Sequence, residues 1–290
     1  MASMTAPVER ANGGPAGVNL ISRIALYLVL ILIGLFFLLP LVWMFSTAFK
    51  PFVETLQPTW IPQEPTLENF TSIFNDPSIP VLRWFVNSVG VAVAFTALVI
   101  LLDALAAYAY ARMEFPGRNL LFGLLLATLV MPGIMFLVPN YVTIARLRWL
   151  NTYQGVIAPG LSGVFGVFFL RQFFQSIPKE LEEAAYMDGA SRFRTYWNVA
   201  IPLSRPALIT LAIIQFQGSW NDFMGPLLYL RDPKLLTLTV GLNFFKTQYA
   251  VEWNKILVGS MFNAIPILIL FFLFNKYYME GASYSGLAGQ

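Results

Sequence analysis

Six apolar stretches, each about as long as a membrane-spanning helix, constrain the fold of this chain more than any other feature. A helix that rises 1.5 Å per residue needs about 20 apolar residues to cross about 30 Å of hydrocarbon. The stretches are residues 21–46, 85–111, 120–142, 155–174, 206–229 and 256–278. They lack the ten-residue alternation that is typical of an outer-membrane barrel. The sequence therefore predicts an all-α integral membrane protein with six transmembrane helices.

The composition agrees with a membrane protein and excludes several kinds of chemistry. The chain is 57% hydrophobic and 11% charged, whereas soluble domains carry about 25% charged residues. It contains no cysteine and no histidine, which excludes thiol nucleophiles, His-based catalytic triads and zinc sites with Cys or His ligands. No Gly-Lys dipeptide occurs, so a phosphate-binding P-loop is absent. We therefore expect no catalytic residue, no metal site and no cofactor on this chain. If ATP drives the protein, another subunit binds it.

The ends of the chain and its charges suggest an orientation. Residues 1–18 are rich in Ala, Gly and Pro and are predicted to be a disordered cytoplasmic tail, followed by one transmembrane domain over residues 19–290. With the N-terminus inside, ten of the 18 Lys and Arg residues fall on the cytoplasmic side. This bias leans toward the positive-inside arrangement and predicts that both termini are cytoplasmic. The net charge of +3 is too small to suggest a nucleic-acid partner.

A polar insert at residues 175–205 interrupts the apolar pattern. Pro178 suits the first turn of a short helix, and Gly189 supplies a stop because glycine enters the left-handed conformation freely. Ser191 can cap a second short helix, which we expect to run to about Ala200 and to end at Pro202. Two short helices joined at a glycine make a compact elbow. The alternative from the residues alone is an ordinary solvated loop.

The spacing inside the insert carries a resemblance to a known family. Glu183-Ala184-Ala185 is followed by three residues and Gly189, and then by nine residues and Val199-Ala200-Ile201-Pro202. This pattern closely resembles the EAA motif of permease subunits of binding-protein-dependent ABC importers. It implies the six-span type I permease fold with a cytoplasmic two-helix coupling loop.

Further motifs extend the resemblance along nearly the whole chain after residue 20, to maltose-type second permeases of the carbohydrate-uptake branch. They are Asn87-Ser88, residues 106–112 (AAYAYAR), residues 115–118 (FPGR), Met131-Pro132-Gly133, Pro139-Asn140-Tyr141, Trp220-Asn221-Asp222-Phe223, Asn263-Ala264-Ile265-Pro266 and residues 281–289. Glycerol-phosphate importers share these patterns, so a permease of that type remains an alternative to a sugar permease.

The resemblance implies how such a chain works. The elbow is the coupling helix of the family and sits in a cleft of a cytoplasmic ATPase. The residues expected to couple this chain to the ATPase are Glu183, Ala184, Ala185, Asp188 and Gly189. Glu183 would contact a basic residue, and the small residues would allow close approach. The implied partners are a homologous second permease, two cytoplasmic ATPase subunits that bind ATP and Mg, an extracytoplasmic solute-binding protein and membrane lipid, in a bacterial or archaeal cytoplasmic membrane.

Polar residues inside the predicted spans are candidates for the substrate pathway. Asn221 and Asp222 beside Trp220 offer a sugar hydrogen-bonding groups next to an aromatic face, although such groups can also fix helix packing. Weaker candidates of the same kind are Asn87, Asn140 and Asn263. Asp103 lies deep in the second span, where a carboxylate should face protein or water. Segments 47–84 and 231–255 are candidates for contact with the binding protein or are plain interfacial loops.

Two other classes of protein compete with this interpretation. An ion-coupled secondary carrier would use Asp103 and Asp222 as coupling carboxylates, but the inverted repeats typical of that class are not evident between residues 21–142 and 155–278. A membrane enzyme without His or Cys would need a pair of carboxylates, and no two acidic residues occur together at membrane depth. The absence of Lys and Arg from the middle of the spans favours a neutral sugar over a phosphorylated substrate.

Overall fold

The computed structural model describes residues 20–76, 79–246 and 251–287 of the chain. Across these residues the regular structure is helical, and the β-pairing is limited to an isolated bridge between Lys246 and Val251. The predicted tail at residues 1–18 and the last residues of the 281–289 motif lie outside the described residues. In chain order the α-helices are α1 (Leu20–Ala48), α2 (Glu68–Asn75), α3 (Val81–Arg112), α4 (Arg118–Ala127), α5 (Leu137–Arg146), α6 (Tyr153–Ile157), α7 (Val164–Ser176), α8 (Lys179–Met187), α9 (Arg192–Thr195), α10 (Ile201–Leu203), α11 (Arg205–Trp220), α12 (Met224–Tyr229), α13 (Leu238–Gly241) and α14 (Trp253–Leu287).

The described residues contain three to six membrane spans, depending on how bent helices are counted. Three helices, α1, α3 and α14, are long and apolar enough to cross a membrane. Three pairs of segments qualify only if each bent pair is one span: Arg118–Val130 with Gly133–Arg146, Tyr153–Leu161 with Val164–Ser176, and Arg192–Leu203 with Arg205–Trp220. The apolar pattern therefore located the helices but did not reveal which of them are broken.

The third predicted span, 120–142, is broken in its middle by a 97° bend. Met131 and Pro132 are both extended, with ψ of 123° and 126°. Proline disfavours the helical conformation in the residue before it and has no N–H for the helix. Pro139 causes no such break because it lies in the first turn of α5. Pro266 is held inside α14, whose non-helical residue is Phe274.

The fifth predicted span, 206–229, is also interrupted. Helix α11 ends at Trp220, and α12 begins at Met224. Between them Asp222 turns its side chain toward α12, where its Oδ1 accepts a hydrogen bond from the Gly225 N–H at 3.4 Å. A carboxylate at this place satisfies one of the free N–H groups at the start of a helix. The Trp-Asn-Asp-Phe sequence is therefore a helix break.

Helix α3 is the centre of the bundle. Its 32 residues span about 48 Å, and it packs most extensively against α7 and α11. One buried apolar cluster surrounds its first half and includes Trp84, Trp220 and Phe245. A second cluster surrounds its last turns and includes Ala107 and Leu170. Both cores of the structure therefore share this one helix.

The first turns of α3 hold the segment before α13. The Trp84 Nε1–H donates to the Pro233 carbonyl at 2.7 Å, and the Asn87 amide donates to two carbonyls, those of Lys234 and Leu236. Trp84 is 1% exposed, although a tryptophan next to the start of a predicted span is typical of an interfacial aromatic. Its indole finds its polar partner inside the protein, which removes the need for a membrane surface.

The segment between α1 and α3 lies at the same end of the bundle as the segment before α13. The Asn69 amide donates to the carbonyls of Ala48 and Lys50, both at 2.8 Å. Its Oδ1 accepts a hydrogen bond from Asn254 at the start of α14. The two segments proposed as binding-protein contacts thus belong to one end of the molecule.

Helix α1 stands apart from the rest. From Ser22 to Val42 its side chains are exposed all around the helix, and it packs mainly against α14. An apolar helix exposed on every face needs an apolar surrounding, which agrees with a membrane-spanning helix.

We predict that Gly241→Ala destabilises the protein and that Gly90→Ala does not. A methyl group on Gly241 would overlap the Trp84 ring, which is buried and hydrogen-bonded, whereas nothing lies near Gly90. Overpacking of this kind costs about 1–3 kcal/mol, while alanine in a helix is favoured over glycine. The thermal midpoint of the purified protein in detergent should fall for the first variant and hold or rise for the second. Equal midpoints would contradict the packing described here.

Candidate functional site: a helical elbow and a bundle cavity

The first half of the elbow is a helix closed by a glycine turn. Helix α8 ends at Met187, and Gly189 follows in the left-handed conformation with φ of 81°. The Ala190 N–H donates to the Ala185 carbonyl at 2.9 Å, and the Gly189 N–H donates to the Tyr186 carbonyl at 3.0 Å. These two bonds are the Schellman pattern, which satisfies the last carbonyls of a helix and fixes the direction of the chain beyond it.

The second half of the elbow begins as predicted but ends later. The Ser191 side chain accepts a hydrogen bond from the Arg194 N–H at 3.3 Å and caps α9. The helix then widens into a π-turn over Tyr196–Ala200, in which the Ile201 N–H bonds the Tyr196 carbonyl. Pro202 was expected to stop the helix, but helical structure continues to Leu203, and α10 and α11 meet at a 77° bend. The π-turn lies directly before the proline, whose missing N–H disturbs the ordinary α-helical register.

The outward face of the elbow combines the predicted coupling residues with apolar side chains. Glu183, Ala184, Asp188 and Gly189 are exposed, and Ala185 is half-buried. Large apolar side chains are exposed as well, among them Met187, Phe193 and Trp197. Met187 is 88% exposed, and the Phe193 and Trp197 rings meet edge to face at 6.2 Å. Sequence reasoning missed this apolar group because its members come from both halves of the elbow.

The inward face of the elbow is fixed by an ion pair that sequence reasoning also missed. The Arg112 Nε lies 2.9 Å from the Glu182 Oε1, and the two side chains are 6% and 7% exposed. The Arg112 guanidinium also donates to the carbonyl of Ile177, just before α8. Glu182 thus points into the bundle while its neighbour Glu183 points away from it.

Aromatic rings hold the second half of the elbow against the same part of α3. The Tyr108 ring lies 5.0 Å from the Tyr196 ring and 5.6 Å from the Phe174 ring. Tyr108 and Arg112 are four residues apart and therefore share one face of α3. A cavity of about 490 Å³ opens beside them, between α8 and the turn that joins α3 to α4.

A second cavity, of about 310 Å³, lies within the bundle where helix breaks converge. Its walls come from α3, α5, α11, α12 and the helical segment beginning at Tyr153. The polar side chains that line it are Asn140, Gln215, Ser219, Asp222 and Tyr229, together with the ring of Phe95. No Lys or Arg is among its lining residues. Asn140 and Asp222 are the two sequence-predicted pathway residues that the structure brings together here.

The remaining pathway candidates lie elsewhere. Trp220 is buried, stacks on Phe216 and donates to the Asn263 carbonyl at 3.0 Å. Asn221 is exposed, and its amide donates to the Gln217 carbonyl in the same helix. Asn87 donates to two carbonyls of the segment before α13, as described above.

Asp103 is buried in the contact between α3 and α7. Its carboxylate packs against Gly166, where a Cβ atom would overlap it, and the residue is 2% exposed. Its Oδ2 has no hydrogen-bond partner within the part of the chain that the structure describes. Asp103 therefore faces protein, one of the two surroundings expected of a carboxylate deep in a span.

Residues 100–278 match the model of a single protein family, the binding-protein-dependent transport system inner membrane component. This match covers more than half of the chain, including the elbow and all of the second cavity's lining except the residues from α3. The chain belongs to this family. It is therefore a transport component of the membrane, which confirms the resemblance drawn from the EAA spacing.

Named relatives and solved structures agree with this membership. The permease is 31% identical to the arabinooligosaccharides transport system permease protein AraQ of Bacillus subtilis, over 92% of this chain and 96% of that one. It is 32% identical to the trehalose/maltose transport system permease protein MalG of Thermococcus litoralis, over 94% and 99%. Its fold is similar to a chain of a bacterial ABC transporter involved in alginate import, with a TM-score of 0.79, 21% identity and coverage of 91% and 99%.

We predict that Glu182→Ala destabilises this permease strongly, while Glu183→Ala leaves its stability unchanged. The first change leaves the Arg112 guanidinium buried without its carboxylate, which typically costs about 3–5 kcal/mol. The second removes an exposed side chain next to it. Thermal unfolding in detergent compares the two variants directly, and equal midpoints would contradict the inward and outward placement of these neighbours.

Proposed function

We propose that this permease is one of two transmembrane subunits of an ABC importer that takes up a carbohydrate, a disaccharide or an oligosaccharide. The relatives that support this substrate class are named for arabinooligosaccharides, for trehalose/maltose and, in Streptomyces coelicolor, for diacetylchitobiose. The chain contributes no catalysis. Two separate ATPase subunits bind ATP with its Mg and hydrolyse it.

The elbow is the observation that carries this proposal. It presents an exposed carboxylate at Glu183 and small side chains at Ala184 and Ala185 on a helix whose exit is fixed by Gly189. The exposed Met187, Phe193 and Trp197 add an apolar surface of the kind that marks protein contacts. A rigid helix with an apolar rim and one carboxylate suits a groove of an ATPase that carries a cation. Asp188 provides a second carboxylate at the end of this helix.

This role sets the orientation and location of the chain. An ATPase that uses cellular ATP lies in the cytoplasm, so the elbow faces the cytoplasm and both termini lie on that side. The protein is then a multi-pass protein of a prokaryotic cytoplasmic membrane, in contact with lipid along α1. The opposite end of the bundle, which carries the segments before α2 and α13, faces outward.

The outward end is the proposed contact for a solute-binding protein. Apolar side chains are exposed there at Val53, Leu56 and Ile61, next to the exposed Trp60. A solved structure with 15% identity and a TM-score of 0.64 is that of a bacterial alginate ABC transporter in complex with a pentasaccharide-bound periplasmic protein. A homologous second permease completes the pathway, since one bundle of this size encloses only a small cavity.

The second cavity is the proposed contribution of this chain to the substrate pathway. Amide, hydroxyl and carboxylate groups beside an aromatic ring can hydrogen-bond sugar hydroxyls and stack on the apolar face of a sugar. A phosphorylated substrate would call for Lys or Arg, and the lining contains neither. This favours a neutral sugar over a glycerol-phosphate derivative, and membership in the family argues against an ion-coupled carrier.

The decisive experiment reconstitutes the complete importer in proteoliposomes and measures uptake of radiolabelled oligosaccharides. Uptake should require ATP inside, the binding protein outside and no ion gradient. Uptake that persists without ATP and stops with an uncoupler would overturn the proposal.

We predict that Gly189→Val abolishes transport and weakens binding of the ATPase, whereas Gly189→Asn retains most of the transport activity and most of the ATPase binding. Valine is strongly disfavoured at φ of 81°, while asparagine tolerates the left-handed region. Both variants should insert normally into the membrane. Co-purification of the ATPase and sugar-stimulated ATP hydrolysis are the measurements. Full sugar-stimulated ATP hydrolysis in Gly189→Val would show that the turn at Gly189 is not needed for coupling.

We predict that Asn140→Leu lowers sugar uptake by about tenfold, the effect of about 1.4 kcal/mol lost by removing one or two hydrogen bonds. Leucine has a similar size but cannot bond to a hydroxyl. Asn221→Leu serves as the control, because Asn221 is exposed and bonds only within its helix. Initial uptake rates at low substrate concentration compare the two. Equal rates would place the pathway outside the cavity.

A further inference from the structure

We propose that Tyr108 and Arg112, near the end of α3, are the residues through which a displacement of the elbow is transmitted to the rest of the bundle. Their partners on the elbow are Tyr196 and Glu182. This inference rests on the proposed function of the elbow as the ATPase-docking site. It concerns the next step, which is how a displacement of the elbow reaches the substrate pathway.

Both halves of the elbow meet at this one point. Glu182 of α8 is paired with Arg112, and Tyr196 of the π-turn packs on Tyr108. Tyr108 and Arg112 lie on the same face of the last turns of α3. Arg112 also holds the carbonyl of Ile177, so the chain entering the elbow is tied to the same turn. The elbow therefore cannot move as a unit without moving the end of α3 or breaking these contacts.

The ion pair suits this task better than apolar contacts alone. A buried charge left without its partner is costly, so Arg112 and Glu182 stay together when the elbow moves. Apolar surfaces can slide past one another without such a penalty, because dispersion contacts have little directionality. The π-turn over Tyr196–Ala200 supports a functional role for this contact, because π-turns inside helices are frequent at functional sites.

Helix α3 then carries the displacement to the pathway. It is continuous from Val81 to Arg112, and Phe95 and Val91 of this helix line the second cavity. Phe95 lies about five helical turns from Arg112. Beyond the cavity, Trp84 and Asn87 hold the segment before α13. One rigid helix thus joins the elbow, the cavity and the outward end.

Glu182→Gln tests the proposal because it removes the charge but keeps the shape of the side chain. The amide oxygen can still accept a hydrogen bond from Arg112, so this variant should fold where Glu182→Ala is strongly destabilised. In the reconstituted importer the ATPase should still bind, and basal ATP hydrolysis should stay within twofold of the unmodified protein. Stimulation by the sugar-loaded binding protein and sugar uptake should fall by at least tenfold. Glu114→Gln is the matched control, because it removes the charge of an exposed carboxylate just beyond the end of α3 and should change neither quantity.

The charge-exchanged double variant, Arg112→Glu with Glu182→Arg, provides a rescue. It restores opposite charges at the same two positions and should recover a substantial part of the stimulation that Glu182→Gln loses. If Glu182→Gln prevents assembly, Glu182→Asp takes its place: it keeps the charge, but its shorter side chain weakens the contact with Arg112, and stimulation and uptake should fall for that reason. If neither Glu182→Gln nor Glu182→Asp assembles, the ion pair between Arg112 and Glu182 has a purely structural role and the proposal is overturned.

A spectroscopic readout separates movement of the elbow from movement of α3. The chain contains no cysteine, so spin labels can be placed singly at Met187→Cys on the elbow and at Leu82→Cys at the far end of α3. In the importer with otherwise native sequence, ATP should change both spectra. In Glu182→Gln, the Met187 label should still respond to ATP while the Leu82 label should not.

The outcomes distinguish this inference from the function on which it rests. If the label at Met187 does not respond to ATP in the otherwise native importer, the elbow is not the docking site and the proposed function fails. If it responds and Glu182→Gln leaves the response at Leu82 intact, the elbow couples by another route. In that case only the role of Arg112 and Tyr108 is overturned.

Discussion

The packing of one long helix, α3, determines the rest of the structure. Both buried clusters are built around it, and polar contacts fix it at its two ends. At one end Trp84 and Asn87 hold the segment before α13, and at the other Arg112 is paired with Glu182. Because these groups are buried, releasing either end would leave polar or charged groups unsatisfied. Moving the segments attached to either end therefore requires α3 to move with them or these buried contacts to break.

Local chemistry explains why so much of the fold could be predicted from the sequence. The apolar stretches depend only on the length of a helix and the thickness of a bilayer. The elbow depends on Gly189 and on the cap at Ser191, which act within a few residues. The Trp-Asn-Asp-Phe motif can also be recognised from the sequence. Its role as a helix break cannot, because Asp222 looks there like any polar group within a span.

The features that escaped prediction depend on contacts between distant parts of the chain. Glu182 and Glu183 are identical in type and adjacent, and only Arg112, far away in the sequence, distinguishes the buried one from the exposed one. Trp84 looks like an interfacial aromatic until the Pro233 carbonyl is found beside its indole. The cavity at Asn140 arises where α5 meets the break at Asp222 between α11 and α12, and no short window of sequence contains both.

If the elbow docks the ATPase and the second cavity holds the sugar, as we propose, the site that receives energy and the site that selects the substrate are separate. The elbow lies at one end of α3, and the cavity lies about five turns along the same helix. Under that proposal, a change of a side chain in the cavity would alter which sugar hydroxyls find partners without altering the turn at Gly189 or the pairing of Arg112. Relatives named for arabinooligosaccharides, for trehalose/maltose and for sulfoquinovosyl glycerol match the chain over at least nine tenths of its length. Such a range of substrates on one architecture is expected if α3 carries the same movement whatever the cavity holds.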